Sequence, residues 1–362
     1  MIPTRRISGL DGMRAIAILC VLLSHSEVSG NVPHHWLIDQ LRRVFSGMLG
    51  VQIFFTISGF IITLLLCKEQ SSYGHISLRR FWLRRSLRIL PPASAYLLFL
   101  HFVGQQNQAL VPSETQWGSL LFYRNMMPFD PWFTTQQGFT GHYWSLAVEE
   151  QFYLIWPLLV AFLAVKQLRR LSLVGIVISV VFRIAIPWLP DGSLRWLPMN
   201  LDGFMAGALL ALNISSGHTA PWLRIWHKRT LLLFCALLLT RLSGSSIGDW
   251  FTFIQPLAVA AATSAYIAGL AMGCKGSELR LLNWTPLVGL GLISYSVYLW
   301  QQVLLAPEFQ WLSGHAPWLC LFPQNILMCI ICGSVSYWGI EQPCNKIKEW
   351  LTVIPPAPKH DE

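Results

Sequence analysis

Long apolar runs separated by short polar segments dominate the chain. A helix that crosses the hydrocarbon core of a bilayer takes about 20 mostly apolar residues. By that measure ten runs qualify: about 10–27, 44–67, 89–104, 144–165, 171–189, 197–213, 230–243, 251–273, 285–306 and 317–340. The pattern predicts an all-α integral membrane protein of about ten transmembrane helices. The apolar stretch Trp117–Met127 is too short to span and reads as interfacial or re-entrant. The first run continues into Ser24, His25 and Glu27 without a small-residue cleavage site, so it reads as a span and not as a cleavable signal. There is no internal repeat and no matched pair of Gly/Pro-broken helices of the kind inverted-repeat transporters carry.

Composition agrees with that pattern. Of 362 residues, 54% are hydrophobic and only 12% charged, against about one-quarter charged in an average soluble chain. Disorder, a coiled coil and a soluble enzyme are thereby excluded, and 17 Trp with 20 Phe suit interfacial aromatic belts. The formal charge of +9 would suggest nucleic acid in a soluble protein. Its placement suggests membrane orientation instead. With ten spans and a cytoplasmic N-terminus, only Arg42, Arg43, Arg124, Arg195 and Arg241 face outward and Arg183 lies within a span; the other basic residues are cytoplasmic. Both termini are then cytoplasmic. Residues 1–345 form the transmembrane domain, and 346–362 a cytoplasmic tail too short to fold alone. Two outward loops, roughly 28–43 and 105–143, are long enough to be functional. Most of the eight cysteines lie in apolar runs, and Cys329-Ile-Ile-Cys332 has no second pair, so no disulfide framework or metal site is expected.

Ionisable groups inside spans are costly and mark functional candidates. Arg14 and His25 are eleven residues apart, which at about 100° per residue returns them to nearly one azimuth, about 16 Å apart along the axis. One stripe of the first span thus carries a guanidinium and an imidazole; taken singly, Arg14 also fits an anchor that snorkels and His25 an interfacial histidine. In the second span Gln52, Thr56, Ser58 and Gly59 suit close helix packing as well as a direct role. The block from Leu78 to Pro92 holds Arg84, Arg85 and Arg88 on one helical face. Anionic lipid headgroups account for such a cluster, and so does a cytosolic polyphosphate ligand. The fourth span opens Tyr143-Trp144-Ser145 and carries Glu149 and Glu150 side by side. Since that span starts outside, Glu149 lies at about the depth of His25, a pairing suited to general-base chemistry; pairing with Arg183 or Arg195 is the structural alternative. Asp202, the Ser294–Gln301 block and Glu341, which reads as a helix exit, are weaker signals.

These blocks, in this order, resemble the membrane-bound acyltransferase 3 family: Leu10-Asp11-Gly12-Met13-Arg14 with His25 following, Phe54-Phe55-Thr56-Ile57-Ser58-Gly59-Phe60, Arg84-Arg85-Ser86-Leu87-Arg88, Trp144 through Tyr153, Ile293 through Trp300, and Gly339 through Pro343. The resemblance covers essentially the whole chain. One departure stands out: Gln301 follows Trp300 where the family often has histidine. Family members fused to a secreted hydrolase-like domain exist, and no such domain is expected here.

The resemblance implies transfer of an acyl group, usually acetyl, from acetyl-CoA or another acyl-CoA to a hydroxyl. No metal takes part. The acceptor it implies is most often a carbohydrate of the cell surface, such as O-antigen lipopolysaccharide or an exopolysaccharide; a macrolide-like small molecule or peptidoglycan is the alternative. A multi-pass protein of the bacterial inner membrane follows, with the acyl-CoA, a lipid-linked glycan and membrane lipids as partners and no nucleic acid. The resemblance casts His25 as catalytic base with Arg14 as its partner, Arg85 and Arg88 with Arg84 as the donor site, and Glu149 as a catalytic or structural site residue; from its depth, Glu149 is expected to orient His25. Ser58, Tyr143 and Trp144 are the candidate oxyanion donors, with Glu150 near the substrate. Outside this class, a proton-coupled secondary transporter would use the same intramembrane His, Arg and Glu.

Overall fold

The computed structural model describes residues 7–28, 45–105, 113–127, 138–189, 193–218, 229, 247–274, 276–305 and 316–351. Every regular element among them is helical. In chain order these are α1 (Leu10–Val28), α2 (Gly47–Tyr73), α3 (Leu78–Gln105), the short α4 (Ser113–Leu120), α5 (Tyr143–Phe162), α6 (Val165–Ile184), α7 (Leu197–Ser215), α8 (Ile247–Ala271), the short α9 (Ser277–Leu282), α10 (Thr285–Leu305), α11 (Gln324–Ser336) and α12 (Gln342–Leu351).

Five described stretches are long and apolar enough to cross a membrane: Gly47–Tyr73, Phe139–Phe162, Ser193–Ser215, Phe253–Ala271 and Thr285–Leu305. Helix α6 adds a different argument. It buries Ser172, Gly175, Ser179 and Arg183 and exposes Val174, Val177, Val181 and Ile184. A helix that hides its polar stripe and presents its apolar one is solvated by hydrocarbon. The chain is a multi-pass membrane protein.

Two expected spans differ in the structure, and a third cannot be compared. Helix α3 begins at Leu78, not near residue 89, so the arginine block and the apolar run form one helix through Pro91 and Pro92. Those prolines cannot donate to the carbonyls one turn earlier. Tertiary bonds support the weakened region: Tyr295 Oη donates to the Ile89 carbonyl and Tyr143 Oη to the Ala93 carbonyl, each at 2.8 Å. The run 317–340 begins as a 3₁₀ turn, and α11 starts at Gln324. A π-turn, Tyr337–Glu341, then joins α11 to α12, so Glu341 is not a helix exit. Trp117–Met127 folds as α4 and a 3₁₀ turn, Arg124–Met126, pinned to α5 where Gln151 exchanges amide hydrogen bonds with Asn125 at 2.8 and 3.1 Å. The run 230–243 lies outside the described residues.

Without a hydrophobic drive between membrane helices, close backbone approach through small residues brings them together. Helices α2 and α7 show this most clearly. A methyl group added at Gly59 would lie 2.1 Å from the Phe204 carbonyl oxygen, and one at Gly207 equally close to that of Thr56. Around this contact Phe204 stacks between Phe55 and Phe152 at centroid distances of 4.5 and 4.4 Å. Trp156 Nε1 donates to Thr63 Oγ1 at 2.8 Å, tying α5 to α2. Ser58 and Glu149 are held across this seam. On the far side of α7, Arg183 and Asp202 form a buried ion pair.

Candidate active site

Two cavities lie in line between α1, α2, α5 and α10. The first is lined by Arg14 of α1, Ser58 of α2, Arg85 and Arg88 of α3, Glu149 and Tyr153 of α5 and Ser294 of α10, among others. Three guanidiniums and one carboxylate make its described lining net positive. The carboxylate is already engaged. The hydroxyls of Ser58 and Tyr153 both donate to Glu149 Oε1 and sit 3.0 Å from each other. The Arg85 guanidinium lies 4.3 Å over the Tyr153 ring, a cation–π contact that holds it above this cluster. Such a lining suits a polyanion, since guanidinium forks bind phosphate oxygens in pairs.

The second cavity, about 260 Å³, adjoins the first and is lined by Ser24 and His25 of α1, Gly47 and Met48 of α2, His142, Trp144, Arg195 and Gln302. Val51 and Tyr298 line both cavities, so the two meet at these side chains. Arg14 opens on the first and His25 on the second, as one helical stripe facing the interior requires. His25 Nδ1 lies 3.0 Å from Gln301 Oε1 of α10. With the amide oxygen toward the ring, the Nδ1–H tautomer fits this contact. That tautomer, when neutral, carries a lone pair on Nε2, the arrangement a general base needs.

The sequence matches the acyltransferase domain family, acyltransferase 3, over residues 7–340. The chain belongs to the acyltransferase 3 family. It is 28% identical to YrhL of Bacillus subtilis, provisionally named a peptidoglycan O-acetyltransferase, over 96% of this chain and 58% of that protein. It is 24% identical to O-acetyltransferase OatA of Staphylococcus aureus, over 96% of this chain and 58% of that protein. A further Staphylococcus aureus protein, provisionally named an O-acetyltransferase, is 33% identical over 94% of this chain and 58% of its own length. The chain thus spans a little over half the length of these relatives. No solved structure matches it.

Of the residues the family resemblance singled out, the structure brings Arg14, Arg85, Arg88, Ser58 and Glu149 to the first cavity and His25 and Trp144 to the second. It corrects the expected partnership of His25: Glu149 bonds Ser58 and Tyr153, and Gln301 holds the imidazole. Helix tilt and packing, not depth alone, decide which side chains meet. Arg84 is not among the residues lining the first cavity. Tyr143, proposed as an oxyanion donor, is fully buried and spends its hydroxyl on the Ala93 carbonyl, so it lines neither cavity. Glu150 lines neither cavity and leaves Oε1 without a hydrogen-bond partner among the described residues. Arg183 pairs with Asp202 and not with a glutamate of α5. Glu341 is buried in the π-turn and accepts a hydrogen bond from Ser296 Oγ at 2.9 Å.

Sequence reasoning passed over Tyr153, Tyr298 and His142. Tyr153 lies four residues after Glu149, one helical turn, a spacing that could have signalled their contact. Tyr298 belongs to the Ser294–Gln301 block, a weaker signal, and His142 precedes the Trp144 block by two positions.

Proposed function

We propose that the protein is a membrane O-acyltransferase that moves an acyl group, acetyl in the first instance, from acyl-CoA to a hydroxyl of a cell-surface carbohydrate. The observation that carries this reading is the pair of cavities meeting at Val51 and Tyr298, one lined by arginines and the other by an imidazole held through Nδ1. In this reading the protein sits in the bacterial plasma membrane with the arginine cavity toward the cytoplasm, where acyl-CoA is made. The basic residues expected on the cytoplasmic side of a ten-span topology agree with that orientation. The bacterial relatives named for O-acetylation support the chemistry, and the name of YrhL supports a glycan acceptor.

The phosphates of acyl-CoA bind Arg85 and Arg88, with Arg14 adding a third cation deeper in the cavity. The thioester reaches the junction at Tyr298. His25 Nε2 removes the proton from the acceptor hydroxyl as its oxygen attacks the thioester carbonyl carbon. The carbonyl π electrons move to oxygen, and the resulting oxyanion requires hydrogen-bond donors. Trp144, which lines the His25 cavity, supplies its indole N–H. Collapse of the tetrahedral intermediate breaks the C–S bond, and the departing CoA thiolate takes the proton from His25. Direct attack of this kind needs no acyl-enzyme. Ser58 and Tyr153 keep Glu149 in place as a counter-charge among the arginines.

The test uses purified protein in nanodiscs with labelled acetyl-CoA, following CoA release and label transfer to a peptidoglycan or surface-glycan acceptor. His25→Ala should abolish transfer at unchanged protein level and insertion. Transfer at the wild-type rate by that variant would refute the reading. Acceptor flux across the membrane without donor turnover would support a transporter instead.

A further inference from the structure

The second cavity, where the proposed reaction places the acceptor, has a charge of its own. Its described lining includes one guanidinium, that of Arg195, and no carboxylate. Arg195 closes the 3₁₀ turn Ser193–Arg195 just before α7 and is part-exposed. Its charge acts on Tyr298, the side chain at which the two cavities meet. The guanidinium thus stands near the junction, on the same cavity as His25. A second cation backs it. The 3₁₀ turn of Arg124 packs against that of Arg195, and the two charges repel. Arg124 is 2% exposed; its Nε donates to Thr140 Oγ1 at 3.5 Å and its Nη1 to Met127 Sδ at 3.8 Å, both uncharged acceptors.

Two like charges held together away from water raise each other's cost, and an anion beside them lowers it. A guanidinium carries five N–H donors in a fixed fork, so Arg195 can keep its protein contacts and still grip a ligand's oxygens. That fork matches the paired oxygens of a carboxylate or a phosphate better than a single hydroxyl. In the proposed reaction the donor's phosphates are held by Arg85 and Arg88 in the first cavity, whose described lining does not include Arg195. In the ten-span topology Arg124 and Arg195 both face outward, the side from which a surface glycan arrives. A neutral sugar would leave this field unused.

We propose that the acceptor is an acidic glycan, and that Arg195 binds a carboxylate or phosphate group next to the hydroxyl that His25 deprotonates. This rests on the O-acyltransferase reading and deepens it. The shared chemistry is a pair of anionic oxygens on the sugar that receives the acyl group or on its neighbour. Arg195 orients that sugar through N–H···O bonds and takes no proton in the reaction. Arg124, outside the described lining, adds its field, and the hold on the anion weakens as salt screens both charges.

The experiment measures acetyl transfer by the full chain in nanodiscs from labelled acetyl-CoA. The acceptor is the membrane glycan fraction of the producing cell, separated by anion exchange into neutral and acidic pools and titrated over a wide range. Label should enter the acidic pool with a kcat/KM about tenfold or more above that of the neutral pool, the scale of one charge-assisted hydrogen bond. Arg195→Gln should raise the KM of the acidic acceptor by about the same factor, while the acetyl-CoA KM stays within about twofold. Arg195→Lys, which keeps the charge, should recover part of the loss. Amidation of carboxylates and enzymatic removal of phosphate, applied separately to the acidic pool, distinguish the two anions. The treatment that removes the recognised group should raise the wild-type KM as much as Arg195→Gln does and add nothing to that variant. Equal transfer to both pools overturns the proposal, as does a wild-type KM that neither treatment changes. An effect of Arg195→Gln confined to kcat or to the acetyl-CoA KM also overturns it. If Arg195→Gln does not fold, as judged by its thermal unfolding, the pool preference and the two treatments of the wild type decide the matter. His25→Ala, run alongside, tests the parent reading separately: transfer by that variant refutes the catalytic assignment, whichever pool takes the label.

Discussion

Replacing Gln301 tests the catalytic geometry most directly, because it removes one atom pair, His25 Nδ1 and Gln301 Oε1, 3.0 Å apart. In Gln301→Leu the Nδ1–H faces an apolar side chain of similar size. An unmet donor in that setting costs about 1–3 kcal/mol. The ring escapes the cost by carrying its proton on Nε2 and turning that nitrogen to the cavity, where an acceptor group can receive it. That tautomer has no lone pair for the acceptor hydroxyl. If the base-competent form is disfavoured by the same 1–3 kcal/mol, kcat/KM falls about 5- to 150-fold. Gln301→Glu and Gln301→His each keep an acceptor near Nδ1 and should stay well above the leucine variant. The assay is acetyl transfer from labelled acetyl-CoA to a glycan acceptor, with acceptor KM and kcat resolved. Activity of Gln301→Leu within twofold of wild type would show that Gln301 does not set the tautomer. Equal losses in all three variants would show that the side chain acts through packing alone.

Other consequences follow from the same geometry. Arg85→Ala and Arg88→Ala should each raise the KM for acetyl-CoA about tenfold, the scale of a lost charge-assisted hydrogen bond to phosphate, with the wild-type KM rising with salt; Arg84→Ala, outside the cavity lining, should change it less than twofold. Gly207→Ala forces a methyl group to within 2.1 Å of the Thr56 carbonyl oxygen, so α2 and α7 must separate. Overpacking of this kind costs about 1–3 kcal/mol, which should lower the unfolding temperature in nanodiscs and reduce activity through the adjoining Ser58; an unchanged unfolding temperature would show that the helices separate freely.

Much of the site was legible along the chain. The period of an α-helix puts Arg14 and His25 on one stripe, and the structure turns that stripe inward, one residue to each cavity. The spacing of Arg85 and Arg88 likewise predicted a shared face, and both line the first cavity. Pairings between helices were not legible. Depth in the membrane suggested Glu149 for His25, whereas the packing of α2 and α5 gives Glu149 to Ser58 and Tyr153. Burial of Glu341 was also hidden, because Glu-Gln-Pro has the composition of a helix end and the π-turn that carries the helix onward depends on packing.

What the amino-acid sequence determined by itself is local: the apolar runs that require a bilayer, the polar residues that each helix carries on one face, and the ordered blocks that mark the acyltransferase 3 family. What tertiary structure decided is relational. Gln301 reaches His25 across 276 positions of chain, and His142 joins them from a third element. Helical periodicity fixes a side chain's azimuth on its own axis, but the rotation and tilt of one axis against another come from close contacts such as that of Gly59 and Gly207 with their neighbours. The partner of each of these side chains is therefore settled only when the helices pack.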